Sequence, residues 1–352
     1  MSIQVFAGAH RQVLVVGGDE ILFRGTLRPD WMRSVHAYLA QQHHERPSRF
    51  FDEAFETRRG EVPIVLNLPG ILLDVPDELN AFPWELLFPA GAAVARRIVP
   101  TSRTAVLERV CVEQVRLVAC QHPVINAEFQ SYGHFNSLRD AFRSTFSAPV
   151  LSDVAHSRDR FVEILNEGVS LLYVVGHCDP KEGLMFEEGP GVTPQWLRET
   201  LDAASVTLPP IIILNCCGYS TADFANVLLH RGAAVVIAAF SPILIRGMAM
   251  FGEVLLRKFL ERRNDRQRLT VGEALSHAIH QTFGGGVYLT AYGAPLLTME
   301  PPKLSTASGK GRPRRIVIVH QHRVVESIEL DEGRSDAVKS AASVFDGDHD
   351  RA

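Results

Sequence analysis

Leu171-Leu172-Tyr173-Val174-Val175-Gly176-His177-Cys178 and Ile211-Ile212-Ile213-Leu214-Asn215-Cys216-Cys217-Gly218-Tyr219-Ser220 are the two stretches that decide the fold. Each is a short run of Leu, Ile, Val or Tyr stopped by glycine or a polar turn residue, the composition of a strand covered on both faces. Each closes on a reactive side chain, His177 in the first and Cys217 in the second. In open parallel sheets ligands sit just outside the carboxyl ends of the strands. A base and a thiol are therefore expected at one edge of one sheet.

Working outward from this pair, strands and helices alternate. Strands are expected at 115–119, 150–154, 170–176, 210–216 and 233–240, and helices at 135–145, 158–167, 193–203, 221–231 and 245–263. That alternation predicts crossover connections and a mostly parallel sheet flanked by helices, an α/β fold. A further helix over 269–282 opens on Thr270-Val271-Gly272-Glu273, threonine three residues before glutamate, which is a capping box. A strand-turn-strand piece follows over 287–298.

Towards the N-terminus the pattern differs. Gln12-Val13-Leu14-Val15-Val16 and Ile21-Leu22-Phe23 flank Gly17-Gly18-Asp19 as an antiparallel hairpin would. A helix is expected over 31–42, a loop or mobile helix over 43–60 and a strand over 63–68. Asn80-Ala81-Phe82-Pro83-Trp84-Glu85-Leu86-Leu87 reads as a capped helix with a buried tryptophan. Past Glu300, residues 301–315 carry Lys303, Lys310, Arg312, Arg314 and Arg315 and no acid. They have a linker composition, followed by a second hairpin over 316–328 and an acidic tail expected to be disordered. Three regions result: residues 1–110 as an N-terminal α/β part packing on the core, 111–300 as the main α/β domain, and 301–352 as linker, hairpin and tail.

Composition bounds the function. Of 352 residues 46% are apolar and 22% charged, an ordinary globular balance, and the net charge of -4 gives no general attraction to nucleic acid. There is no apolar run of membrane-spanning length and no secretory segment at Met1, so no membrane role and a cytoplasmic location are expected. Five cysteines without a C-x-x-C pair suggest reduced thiols and no zinc site. His277 and His280, three apart on a predicted helix, have no further ligand nearby in sequence. No cofactor is expected.

A thiol attacks a peptide carbonyl as thiolate, and an adjacent imidazole either takes its proton or stabilises the anion. Strands joined by one crossover helix are usually neighbours, which would bring His177 and Cys217 to one substrate carbonyl. At this level the sequence resembles the caspase-like cysteine peptidases of clan CD. Leu172-Tyr173-Val174-Val175-Gly176-His177 is similar to their Gly-His strand end, and Ile213-Leu214-Asn215-Cys216-Cys217 to their nucleophile strand. Pro83-Trp84-Glu85-Leu86-Leu87, Arg231-Gly232-Ala233-Ala234-Val235-Val236-Ile237-Ala238 and Tyr292-Gly293-Ala294-Pro295 narrow the resemblance to the CHAT branch, over roughly residues 62–300.

The resemblance implies Cys217 as nucleophile, His177 as general base and acid, and an oxyanion hole made by the backbone N–H groups of Cys178 and Cys217. Cys216, one residue earlier, would face the other side of its strand and pack. Cys178 stands where the family has glycine, which narrows the backbone conformations open to it. Asn215 stands where some relatives carry an acid that selects a basic P1 residue; Asp179 and Asp153 are the other acids near strand ends considered for substrate binding. The resemblance further implies a protein substrate, activation by a partner protein or by self-oligomerisation, and a place in bacterial defence. Two other readings compete. One is a catalytically inactive caspase-fold scaffold or regulatory module. The other is a serine hydrolase using Ser220, since Gly218-Tyr219-Ser220-Thr221-Ala222 is one substitution from a G-x-S-x-G elbow, with Asp265 and His277 or His280 completing it.

Overall fold

The computed structural model describes residues 2–33, 54–59, 70–97, 109–122, 149–216, 221–239, 245–282, 289–300, 314–320 and 323–330, with 139, 140 and 143, apart from breaks of one or two residues inside several of these spans. Residues Met1–Pro302 form one compact unit and Lys303–Ala352 another.

In chain order the first unit contains β1 (Ser2–Ala7), β2 (Gln12–Gly17), β3 (Glu20–Leu27), β4 (Phe55–Arg59), β5 (Ile71–Asp74), a 3-10 turn (Trp84–Leu87), β6 (Val94–Arg96), β7 (Arg109–Cys111), β8 (Val115–Cys120) and β9 (Val150–Ala155). Then come α1 (Arg158–Leu165), β10 (Leu171–Val175), β11 (His177–Asp179), β12 (Gly183–Met185), α2 (Pro194–Ala203), β13 (Ile211–Asn215), α3 (Thr221–His230), β14 (Val235–Ala239) and α4 (Ile245–Leu260). It ends with β15 (Arg262–Asn264), β16 (Gln267–Arg268), α5 (Val271–Thr282), β17 (Leu289–Gly293) and β18 (Thr298–Glu300). The second unit contains the antiparallel hairpin of β19 (Arg314–His320) and β20 (Arg323–Leu330).

One twelve-stranded sheet organises the first unit, in the order β4-β3-β2-β1-β5-β6-β17-β14-β13-β10-β8-β9. From β9 to β14 the pairing is parallel throughout, and β17 closes that part antiparallel to β14. This is the mostly parallel, helix-flanked α/β sheet expected from the sequence, with an N-terminal extension. Because β10, β13 and β14 are buried at every position, both faces must be covered. Phe161, Ile164 and Leu165 of α1, Leu197 and Leu201 of α2, and Phe224 and Leu228 of α3 pack with Leu172, Val174, Ile212 and Leu214. Phe251, Leu255 and Phe259 of α4 and Leu275 and Ile279 of α5 pack with Tyr173, Val175 and Ile213. Alternate residues of one strand thus feed two separate cores.

The N-terminal strands continue the same sheet. β6 pairs in parallel with β17 through Arg96 and Tyr292, and β5 and β1 carry it on to the β1–β2–β3–β4 meander. Arg96 is buried at this seam. Its Nε donates to Glu85 Oε1 at 2.7 Å, and its Nη2 donates to Glu85 Oε2 at 2.9 Å and to the Phe82 carbonyl at 2.8 Å. Thr290 Oγ1 of β17 donates to the same Glu85 carboxylate at 2.5 Å. Burial pulls the Arg96 pKa down, but the charge and hydrogen bonds of Glu85 outweigh it and the guanidinium is held above its ordinary range. Trp84, fully buried, donates its indole N–H to the Leu79 carbonyl at 3.0 Å.

The structure corrects two expectations. Residues 43–60 are not all loop or mobile helix, because Phe55–Arg59 is a strand; Phe55 anchors it by stacking edge-on with Phe23 and Phe82, at 4.9 and 5.5 Å between ring centroids. The segment around Trp84 is a single 3-10 turn, not a capped α-helix, and Pro83 at its start makes no side-chain cap. Glu85 and Trp84 spend their polar groups on Arg96 and Leu79 instead of on helix ends. The capping box does form: Thr270 N–H donates to Glu273 Oε2 and Glu273 N–H to Thr270 Oγ1, at 2.8 and 3.2 Å. The strand expected over 63–68 and the acidic tail lie outside the described residues, as do nearly all of the helices expected over 31–42 and 135–145.

Candidate active site

Three neighbouring strands end together. β10 lies between β8 and β13, and Val175 is in register with Ala119 on one side and Asn215 on the other. The strand order reverses between β8 and β10, since β9 lies beyond β8 while β13 and β14 continue past β10. Such a reversal opens a crevice at the carboxyl ends of the strands.

His177 stands two residues past Val175, half-buried, at the start of β11. What the sequence reading missed is that the chain turns back here into a small hairpin: His177, Cys178 and Asp179 pair with Met185, Leu184 and Gly183. Alternation puts His177 and Asp179 on one face and Cys178 on the other, and the Cys178 side chain is buried in the core under α1, α2 and α3. Leu184 exchanges both of its backbone hydrogen bonds with Val192, at 2.9 and 2.8 Å. Cys178 and Leu184 are therefore the non-hydrogen-bonded kind of pair, and the Cys178 N–H is directed away from β12. Cys178 needs no glycine-like backbone, because Arg11 is the one described non-glycine residue with positive φ.

Gly176 is required by close packing. A Cβ built there would stand 2.7 Å from Leu184 Cδ1 and 3.1 Å from Cys120 Cβ. Overpacking of this kind costs about 1–3 kcal/mol. Gly176→Ala is expected to lower the thermal unfolding midpoint and to displace the β11–β12 hairpin that carries His177; an unchanged midpoint would mean that the neighbours yield freely.

Asp179 closes the hairpin turn. Its Oδ1 accepts from the N–H groups of Lys181 and Glu182 at 2.7 and 3.1 Å. These backbone donors hold its carboxyl below the usual carboxylate range, with a smaller contribution from the charge of His177. Asp153 is placed elsewhere, on edge strand β9, bonded to Arg160 and 3.8 Å from the Arg116 guanidinium. Asn215 is fully buried; its Nδ2 donates to the Tyr173 hydroxyl at 2.6 Å, on the face packed by α4.

Cys120, Cys178 and Cys216 are buried thiols of the same core, while Cys111 is exposed. Burial pushes the Cys120 thiol far up, with a further rise from neighbouring Cys178. Cys216 follows Asn215 directly and packs on the α3 side, as alternation requires. Cys217, the expected nucleophile, lies outside the described residues, and so do Gly218, Tyr219, Ser220 and Asp265. Of the histidines weighed for the serine reading, His280 bonds the Ser276 carbonyl at 2.8 Å, and His277 lies against Gly91 of the N-terminal part.

One residue at this edge was not singled out from sequence. His122, just past β8, stacks on His177 with 4.9 Å between ring centroids and 25° between ring planes. Burial, and then the charge of His177, hold the His122 imidazole below its ordinary pKa. Its sequence signal is the one used for His177: the apolar run Val115–Cys120 stops and a histidine follows two residues on. Among the described residues no helix is long and apolar enough to cross a membrane.

No family model and no curated protein match the chain. Among solved structures it is similar to the complex of Porphyromonas gingivalis RgpB pro- and mature domains, at 13% identity over 66% of this chain and 66% of that one, with a TM-score of 0.48. It is similar to the Arg-specific cysteine proteinase gingipain R (RgpB), at 13% identity over 75% and 67% and a TM-score of 0.45. It is also similar to the Saccharomyces cerevisiae separase–securin complex, at 15% identity over 66% of this chain and a TM-score of 0.43. In that last case this chain spans 16% of the other.

Proposed function

We propose that the protein is a caspase-like cysteine endopeptidase of the CHAT type, acting on a protein partner through Cys217 and His177. The observation that carries this is the register at the crevice: Val175 and Asn215 are paired neighbours, and His177 and Cys217 each stand two residues past that row in sequence. Adjacent strands are about 4.8 Å apart, a separation that imidazole and thiol side chains span.

His177 takes the Cys217 proton, and the thiolate attacks the scissile carbonyl carbon. The oxyanion is held by backbone N–H groups of Cys178 and Cys217, the former directed away from β12. Collapse breaks the C–N bond, with the proton passing from His177 to the leaving amine. Water, deprotonated by His177, then hydrolyses the thioester and frees Cys217. α3 starts four residues past Cys217, and a helix N-terminus favours an anion near it. For a basic P1 side chain, Asp179 on the His177 face of β11 is the acid at hand; Asn215 and Asp153 are committed to Tyr173 and to Arg160. A partner protein or self-association aligns the dyad, in a bacterial defence setting, and the protein acts in the cytoplasm.

Thiol alkylation tests the dyad without a known substrate. Cys120, Cys178 and Cys216 are buried, so Cys111 is the exposed reference. At pH 6 an iodoacetamide label is expected on Cys217 about ten-fold faster than on Cys111, because a depressed thiol pKa raises the thiolate fraction. His177→Ala should erase the difference. Equal rates at the two cysteines in the unaltered chain, with or without candidate partners, would sink the assignment.

A further inference from the structure

His177 is not alone at the crevice. Of the charged and titratable groups around it, His122 comes from the end of β8, Asp179 from its own strand, and Lys181 and Glu182 from the hairpin turn, while Cys120 and Cys178 lie buried beneath. Asp179 already spends Oδ1 on two backbone donors. The group laid flat against the His177 ring is the His122 ring, nearly parallel at 4.9 Å. An imidazolium stacks well on a neutral aromatic ring, as cations do on other ring faces, but two imidazolium rings repel at this separation.

We propose that His122 is a positioning residue for His177: stacked across the gap between β8 and β10, it fixes the plane of the catalytic imidazole and stays neutral while His177 carries the proton. This rests on the reading of His177 as general base. No bond at His122 forms or breaks during the reaction. The cost of charging both rings falls on His122, whose ring burial and the His177 charge already hold below the ordinary imidazole range. His177 is then the ring that takes and returns the Cys217 proton, in a plane it does not have to search for. The same stack accounts for a half-buried histidine standing where β8 ends at the crevice.

The test uses the full chain labelled with carbon-13 histidine. The imidazole Cε1–H resonances of His122 and His177, assigned by His122→Gln and His177→Gln, are followed from pH 8 to 4.5. In the unaltered chain the His177 curve should show two inflections, the lower coinciding with the titration of His122. In His122→Phe, which keeps a flat ring but no charge, the lower inflection should vanish. Independent single-step titrations of the two rings, or a lower inflection that survives His122→Phe, would overturn the proposal. Alkylation of Cys217 supplies the second readout. His122→Ala should slow it about ten-fold by freeing the His177 ring, and His122→Phe should restore most of the rate. Equal rates for the two variants would also overturn it. Should His177→Ala leave alkylation unchanged, the dyad falls, and the titration alone still decides whether the two rings are coupled.

Discussion

Cys217→Ala is expected to abolish peptide-bond cleavage, at least about a thousand-fold below the unaltered chain, because removing the nucleophile leaves only binding and oxyanion stabilisation. The measurement is cleavage of a protein-derived peptide library, read by mass spectrometry, with and without candidate partner proteins. His177→Ala should fall as far as Cys217→Ala, and the double variant should fall no further, since residues acting as one unit are not additive. Ser220→Ala should retain cleavage. Full cleavage by Cys217→Ala would eliminate the cysteine mechanism, and loss confined to Ser220→Ala would favour the elbow. An unaltered chain that cleaves nothing under any activating condition would leave the inactive scaffold as the reading that stands.

The second large effect lies far from the crevice. Arg96→Met leaves Glu85 buried beside Thr290 without its bidentate partner, and breaking a buried pair from one side costs about 3–5 kcal/mol. The thermal midpoint of the unit Met1–Pro302 should drop sharply. Arg96→Met combined with Glu85→Leu should recover most of the loss, because removing both charges leaves none uncompensated. The pairing is the reason to expect this ordering: Arg96 satisfies two carboxylate oxygens and the Phe82 carbonyl at once. A single variant no less stable than the double would show that the site is wetter than its burial indicates.

The central sheet was readable because fully buried strands leave a plain signature. The expected strands 115–119, 150–154, 170–176, 210–216 and 233–240 appear as β8, β9, β10, β13 and β14, shorter or longer by one or two residues at their ends. The intervening helices were readable from their starts, with Thr193 and Ser157 accepting from Trp196 and Arg160 N–H as N-caps. Several resemblance motifs turn out to have structural duties. Glu85 ties β6 to β17, Gly176 makes room for Leu184 and Cys120, and Gly232, at a φ of 106°, closes α3. In that closure the Ala233 and Gly232 N–H groups donate to the Leu228 and Leu229 carbonyls, the two bonds of a Schellman ending. Local pattern could not show long-range partners. Nothing around Arg96 announces Glu85, nothing in 176–185 shows that Leu184 is also held by Val192, and nothing in 120–122 places His122 on His177.

The seam between β6 and β17 bears on how the chain is made. Arg96 and Tyr292 are neighbours in the sheet, yet nearly all of the central parallel strands and their helices are translated between them. At synthesis rates of about 5–20 residues per second, β6 waits roughly 10–40 s for its strand partner. Throughout that interval the N-terminal strands present an unpaired sheet edge, the kind of surface that recruits stray strands. Rare codons or a slow ribosome between 97 and 288 would lengthen that exposure, so soluble yield should track translation speed through the middle of the message.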